Sequence, residues 1–289
     1  MLGLLVLAVA PAVLILWYVY RKDYYEPEPL RLVLTVFLLG GVSVIPAAVI
    51  EYPFPSGIIT SSVVAPFVEE MIKFCVVFFF VYRLPEFDEP VDGMMYAAAA
   101  GLGFAAVENI FYVLEGGIAV GVLRAVASVP GHMIFSCIWG FALGTAKFRE
   151  GSVRRSIIIA GLAGSIVLHG IFNFSLEVYE GAGLVFILVL VIPLGLWYTR
   201  QNIKKAHADP ASAFSLLQRS SVTIARQLPG NSGIGPVSVR SGTQTEAPND
   251  SSEYTGIDKV RKAKVHYCTS CGTHIVEGKK FCRNCGKEL

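Results

Sequence analysis

Seven stretches of predominantly apolar residues decide what this chain can fold into, each near the roughly 20 residues a helix needs to cross a bilayer. They run approximately over 1–20, 30–50, 58–82, 92–114, 119–146, 156–176 and 182–199. Inside hydrocarbon every backbone polar group must find its partner within the protein, so stretches of this kind fold as helices. Of the 289 residues, 54% are hydrophobic and only 16% charged, against roughly 25% charged in soluble domains. Mean hydropathy is correspondingly high, at +0.57. The expected fold is all-α, a polytopic transmembrane helix bundle of about seven spans occupying 1–200. The first stretch is not expected to be a cleaved signal peptide, because it lacks a basic start and stays apolar beyond Ala8-Val9-Ala10.

Basic residues fall on alternate loops. Arg21, Lys22, Arg31, Arg83, Lys147, Arg149, Arg154, Arg155, Arg200, Lys204 and Lys205 share one side, whereas the opposite loops carry Glu51, Glu177 and Glu180. Arg124 alone is assigned to that other side, either at the interface or paired inward with Glu115. The positive-inside rule then puts the N-terminus outside and the C-terminus in the cytosol of a multi-pass integral membrane protein.

Several spans carry groups that hydrocarbon penalises. Glu69 and Glu70 stand side by side in Val-Glu-Glu-Met-Ile-Lys, with Lys73 one turn on. One carboxylate at membrane depth costs about 2.5–3.5 kcal/mol on insertion scales, so groups like these are expected to face a polar cavity. On a helix Lys73 reaches either acid, and the acids point about 100° apart, so both can border one cavity. Such a pair supplies a general base beside an acid or hydrogen-bond donor, as water activation requires. The competing explanation is a buried ion pair that fixes helix packing. Glu108 and Asn109 follow in the fourth span, Glu108 either orienting a histidine or joining the site itself. His132 follows a Pro-Gly pair expected to break its helix. His169 and Asn173 lie four apart on one helical face, imidazole being suited to a metal or a water and the amide to an oxyanion. The run Ala97–Gly103 offers small residues for close helix contact. Cys75 and Cys137 are read as packing groups.

Composition changes after the last span. Residues 201–264 are rich in Ser, Thr, Pro, Gly and Asn, and read as a flexible polar linker. Residues 265–289 hold Cys268-x-x-Cys271-Gly and Cys282-x-x-Cys285-Gly. Two paired-thiolate knuckles suit tetrahedral structural zinc, with Gly272 and Gly286 allowing close backbone approach. A small cytosolic zinc ribbon is therefore expected. His266 and His274 are bystanders to a shell that four cysteines already close, and the module is suited to docking a cytosolic protein. No nucleic acid partner is expected.

The ordered set Glu69-Glu70-x-x-Lys73, Glu108-Asn109, His132 and His169-x-x-x-Asn173, distributed over successive spans, resembles the PrsW family of bacterial intramembrane proteases, related to the CAAX prenyl endopeptidases. The resemblance covers about 1–200 and leaves the ribbon outside. It implies hydrolysis of a peptide bond in a membrane-anchored regulatory protein, such as an anti-sigma factor, in a prokaryotic cell membrane. Glu69 and Glu70 would supply the water-activating base and its partner, His132 and His169 would orient water or bind metal, and Asn173 would stabilise the oxyanion. Lys73, Glu108 and Asn109 would support them. The prenyl-endopeptidase pattern has Arg four residues after the second Glu and Phe four before the His; this chain has Phe74 and Ser128 there. Prenylated substrates are therefore not implied. His-Glu-x-x-His is absent, which excludes the zincin arrangement. A second metal at the intramembrane set and a metal-free glutamate mechanism both remain open, the latter slightly favoured. An ion-coupled transporter and a non-catalytic scaffold that recruits partners through its ribbon are the alternatives; the sequence lacks the inverted repeat that a carrier of that kind would show.

Overall fold

The computed structural model describes residues 1–22 and 27–209, with a short strand pair at 266–267 and 274–275. The chain divides into two units, Met1–Asn231 and Ser232–Leu289. In the first, every regular element among the described residues is helical: α1 (Leu2–Tyr20), α2 (Leu30–Val42), α3 (Val44–Glu51), α4 (Ala65–Phe80), α5 (Pro90–Val126), α6 (Ser128–Lys147), α7 (Gly151–Phe186) and α8 (Ile192–His207). In the second, β1 (His266–Tyr267) pairs antiparallel with β2 (His274–Ile275), His266 opposite Ile275 and Tyr267 opposite His274. Cys268, Cys271, Cys282 and Cys285 lie outside the described residues, as does the expected linker from 210 onward.

Four helical stretches are long and apolar enough to cross a membrane: Leu2–Tyr20, Leu30–Glu51, Pro90–Lys147 and Gly151–His207. Their outward faces present Leu38, Ile45, Val167 and Val189 without cover, an exterior suited to lipid rather than water. The helix that carries Glu69, Glu70 and Lys73 runs unbroken from Thr60 through α4.

The centre of the bundle is α5, which packs on α1, α2 and α6. Its start follows from Glu89-Pro90-Val91-Asp92. Asp92 accepts from the Glu89 backbone N–H at 2.6 Å in a capping box, and Pro90 needs no donor in the first turn. The expected small-residue run is wholly buried. A Cβ on Gly93 would strike the Gly140 carbonyl, one on Gly144 the Pro90 carbonyl, and one on Gly101 the side chain of Ser136. Matching positions that rise along α5 and fall along α6 describe an antiparallel seam in which backbone meets backbone. α2 closes the other side in the same way, with the Phe37 carbonyl against Gly103.

Several boundaries differ from the sequence reading. The expected break near 115–118 is present at Gly117, whose φ of 72° and ψ of −160° are non-helical, and a further helical segment then runs on to Val126. Pro130 and Gly131 do not interrupt α6; they lie in its first turn, where a missing N–H costs nothing, and the break falls at Ala127. The interruption expected before 182 is also present, at Glu180, whose φ of 41° is the one positive value at a non-glycine among the described residues. α8 continues past 200 to His207. π-helical turns at Thr60–Val64 and Ile187–Val191 precede Pro66 and Pro193. Each proline lacks the N–H that would bond four residues back, and the backbone widens there.

Candidate active site

α4, α6 and α7 converge on one cluster. Lys73 is completely buried, and its ammonium donates to Glu69 Oε2 at 3.1 Å and Glu70 Oε1 at 2.9 Å, the i+4 and i+3 contacts expected of one helical face. A third contact, 2.9 Å to His132 Nδ1, ties α4 to α6. The ring of Phe104 lies 4.2 Å from the same nitrogen, a cation–π contact from α5.

The two acids have different surroundings. Glu70 is 0% exposed. Besides Lys73 it accepts from Trp139 Nε1 at 3.0 Å and meets His169 Nδ1 at 3.0 Å. Glu69 borders a cavity of about 740 Å³, together with Glu108, Arg124, His132, His169 and Asn173. Adjacent positions on α4 thus face the protein interior and the cavity respectively.

Hydrogen bonding fixes the imidazoles. Carboxylates accept, so His169 carries its proton on Nδ1 and keeps the Nε2 lone pair. His132 donates through Nε2 to Glu108 Oε2 at 2.9 Å, which leaves Nδ1 to accept from Lys73. Phe135 stacks on His169 at 4.6 Å between ring centres and holds its plane.

Glu108 meets His132 as one of the two expected alternatives had it. Arg124 pairs inward, as one expected alternative had it, but not with Glu115. It turns inward and donates to Glu108 Oε2 and Asn109 Oδ1, both at 2.6 Å, while its guanidinium lies over the Tyr112 ring. The kink at Gly117 brings residue 124 back toward 108. Asn173 lines the cavity and donates to the Ser61 carbonyl at 2.8 Å, in the π-helical turn that Pro66 imposes. Ser61 also bonds Glu177. Sequence reasoning missed Trp139 and Ser165 at the Glu70 carboxylate. Both were within reach of spacing arguments: Ser165 is one helical turn before His169, and Trp139 is two turns after His132.

One donor atom from each of Glu69, Glu70, His132 and His169 lies within 4.8 Å of the other three. Two imidazole nitrogens and two carboxylate oxygens are donors that zinc and similar divalent ions accept. The set fits such an ion in type and spacing.

No solved structure matches the chain. Curated relatives do. Protease PrsW of Geobacillus kaustophilus (strain HTA426) is 40% identical over 213 residues, covering 71% of this chain and 93% of that protein. Protease PrsW of Oceanobacillus iheyensis is 36% identical over 203 residues, covering 68% and 92%. Protease PrsW of Bacillus subtilis (strain 168) is 32% identical over 214 residues, covering 72% and 97%. Residues 267–289 match the zinc-ribbon domain. Residues 28–198, which contain all the converging side chains, match the PrsW family of intramembrane metalloproteases, and the chain belongs to that family.

Proposed function

We propose that this membrane protease hydrolyses a peptide bond in a membrane-anchored regulatory protein of the anti-sigma-factor kind, with water activated at Glu69. The observation that carries the reading is the convergence of Glu69, Glu70, His132 and His169 from three helices, with Glu69, His132 and His169 at the wall of one cavity and Glu70 buried behind them. Glu69, at the cavity wall, takes the proton from the attacking water. Glu70 is held by Lys73, Trp139 and His169 and orients His169 and Lys73. His169 presents its Nε2 lone pair, and His132 is aimed by Glu108, itself fixed by Arg124. Asn173 binds the Ser61 carbonyl through one N–H, and its second N–H is the donor for the developing oxyanion. A divalent cation, when held by Glu69, Glu70, His132 and His169, supplies Lewis acidity to the scissile carbonyl.

The topology that accompanies this chemistry is about seven spans, N-terminus outside, with the basic loops and the C-terminus in the cytosol. Residues 1–207, to the end of α8, form the protease domain, the segment from there to 264 tethers it, and 265–289 form a ribbon whose Cys268, Cys271, Cys282 and Cys285 hold one zinc and dock a cytosolic protein.

Comparing membrane-protein fragments from cells that express wild type or Glu69→Gln at equal abundance tests the reading. A discrete set of fragments that disappears in the variant is expected and names the substrate. Persistence of the same fragments at the same level refutes the role of Glu69.

A further inference from the structure

The ammonium of Lys73 lies against the donor set. It lies 2.9–3.1 Å from Glu69, Glu70 and His132, three of the four residues whose ligand atoms cluster within 4.8 Å. His132 has one available lone pair, at Nδ1, because Nε2–H is spent on Glu108. That lone pair either accepts from Lys73 or binds a metal; it cannot do both. Charge leads to the same exclusion. Two carboxylates balance one divalent ion, whereas an ammonium in the same space adds a like charge at contact distance, where repulsion is strong. Glu108 offers no relief, since Arg124 already pairs with it at 2.6 Å.

From this we infer that Lys73 is an internal competitor for the metal, its ammonium and a divalent cation excluding one another at the Glu69–Glu70–His132 cradle. The inference rests on the proposed metal-binding role of that set. Without metal, Lys73 keeps the carboxylates apart and the helices together. Metal uptake then requires the ammonium to withdraw, and the measured affinity falls below the intrinsic one by the fraction of time the cradle is open. A helix that carries its own cation folds and inserts before any metal arrives.

Manganese(II) is a suitable probe, because imidazole and carboxylate oxygen bind it while a zinc-filled four-cysteine ribbon does not exchange for it. Full-length protein in lipid nanodiscs, its ribbon loaded with zinc, would be titrated with Mn²⁺ and free ion read by electron paramagnetic resonance. Lys73→Gln is expected to tighten binding by about tenfold or more, and adding Glu70→Gln to that variant should abolish the gain. Lys73→Arg, which keeps a bulkier cation in place, should bind more weakly than wild type. Should Lys73→Gln fail to accumulate, the arginine variant alone carries the test. Equal affinity for wild type and either Lys73 variant overturns the inference. So does a wild type that cleaves substrate while no variant shows a Glu70-dependent Mn²⁺ site; that outcome leaves the protease assignment standing.

Discussion

Glu70 Oε2 accepts from Trp139 Nε1 at 3.0 Å, and Ser165 Oγ stands 3.3 Å away. A hydroxyl has one proton, and Ser165 lies closer to the Phe135 carbonyl, at 2.7 Å. Trp139 is therefore the committed donor and Ser165 a reserve. Trp139→Phe removes a hydrogen bond to a charged group, worth about 1.5–3 kcal/mol, but rotation of Ser165 recovers most of it for the loss of one neutral bond, about 1 kcal/mol. Ser165→Ala alone likewise costs about 1 kcal/mol. Each single change should thus slow cleavage about fivefold, since 1.36 kcal/mol is a factor of ten. In the double variant nothing replaces the lost donor, and the cost rises to about 2.5–4 kcal/mol. Cleavage of a membrane-anchored reporter in proteoliposomes should then fall about hundredfold or more, well beyond the product of the single effects. Equal amounts of folded enzyme would be confirmed by thermal unfolding of each variant. Simple multiplication of the two single effects would refute the reserve-donor reasoning, and an unchanged rate in Trp139→Phe would refute the importance of holding Glu70.

Arg124→Met leaves Glu108 without its cation, and because both side chains are partly exposed the cost is taken as about 2 kcal/mol rather than the full penalty of a buried pair; reporter cleavage should drop at least tenfold and recover in part with Arg124→Lys. Burial pushes the Glu28 carboxyl, which lies ahead of α2 and accepts from Tyr96, up to about 7. The native state therefore holds this proton longer than the unfolded chain, and its stabilising contribution is full below about 4.5 and lost as pH rises to about 7. Glu28→Gln should flatten that part of a thermal-stability profile, whereas an unchanged slope would rule Glu28 out as its source. Cys268→Ser should lower bound zinc by about one ion per chain, read by elemental mass spectrometry, with no loss expected from Cys75→Ser.

The chemistry of the site was more legible in the sequence than its wiring. Ionisable residues inside apolar spans stand out because the bilayer penalises them, and Glu69, Glu70, His132 and His169 do converge. Arg124 was given the wrong acid because the break at Gly117 could be expected, but not the direction in which it returns the chain to Glu108. Trp139 and Ser165 were overlooked for another reason: both are tolerated in membrane helices, so nothing marks them until Glu70 is seen beside them. Asn173 shows a third kind of gap. Its spacing from His169 places it on the right face, but its bond to the Ser61 carbonyl answers a backbone need created by Pro66 on another helix. Span edges slipped wherever proline fell in a first turn, because the residue that stops a helix also starts one.

The glycine seam between α5 and α6 has a consequence for anyone who reads this enzyme through mutant screens. Gly93, Gly140 and Gly144 contribute no proton, ligand or charge, yet a single methyl at any of them meets neighbouring backbone that has no rotamer to yield. Pushing α6 away there carries His132 off Glu108 and Lys73 at the far end of the same helix. Substitutions at these glycines will therefore score as though a reacting group had been removed, and a map of intolerant positions will trace the seam as clearly as the chemistry.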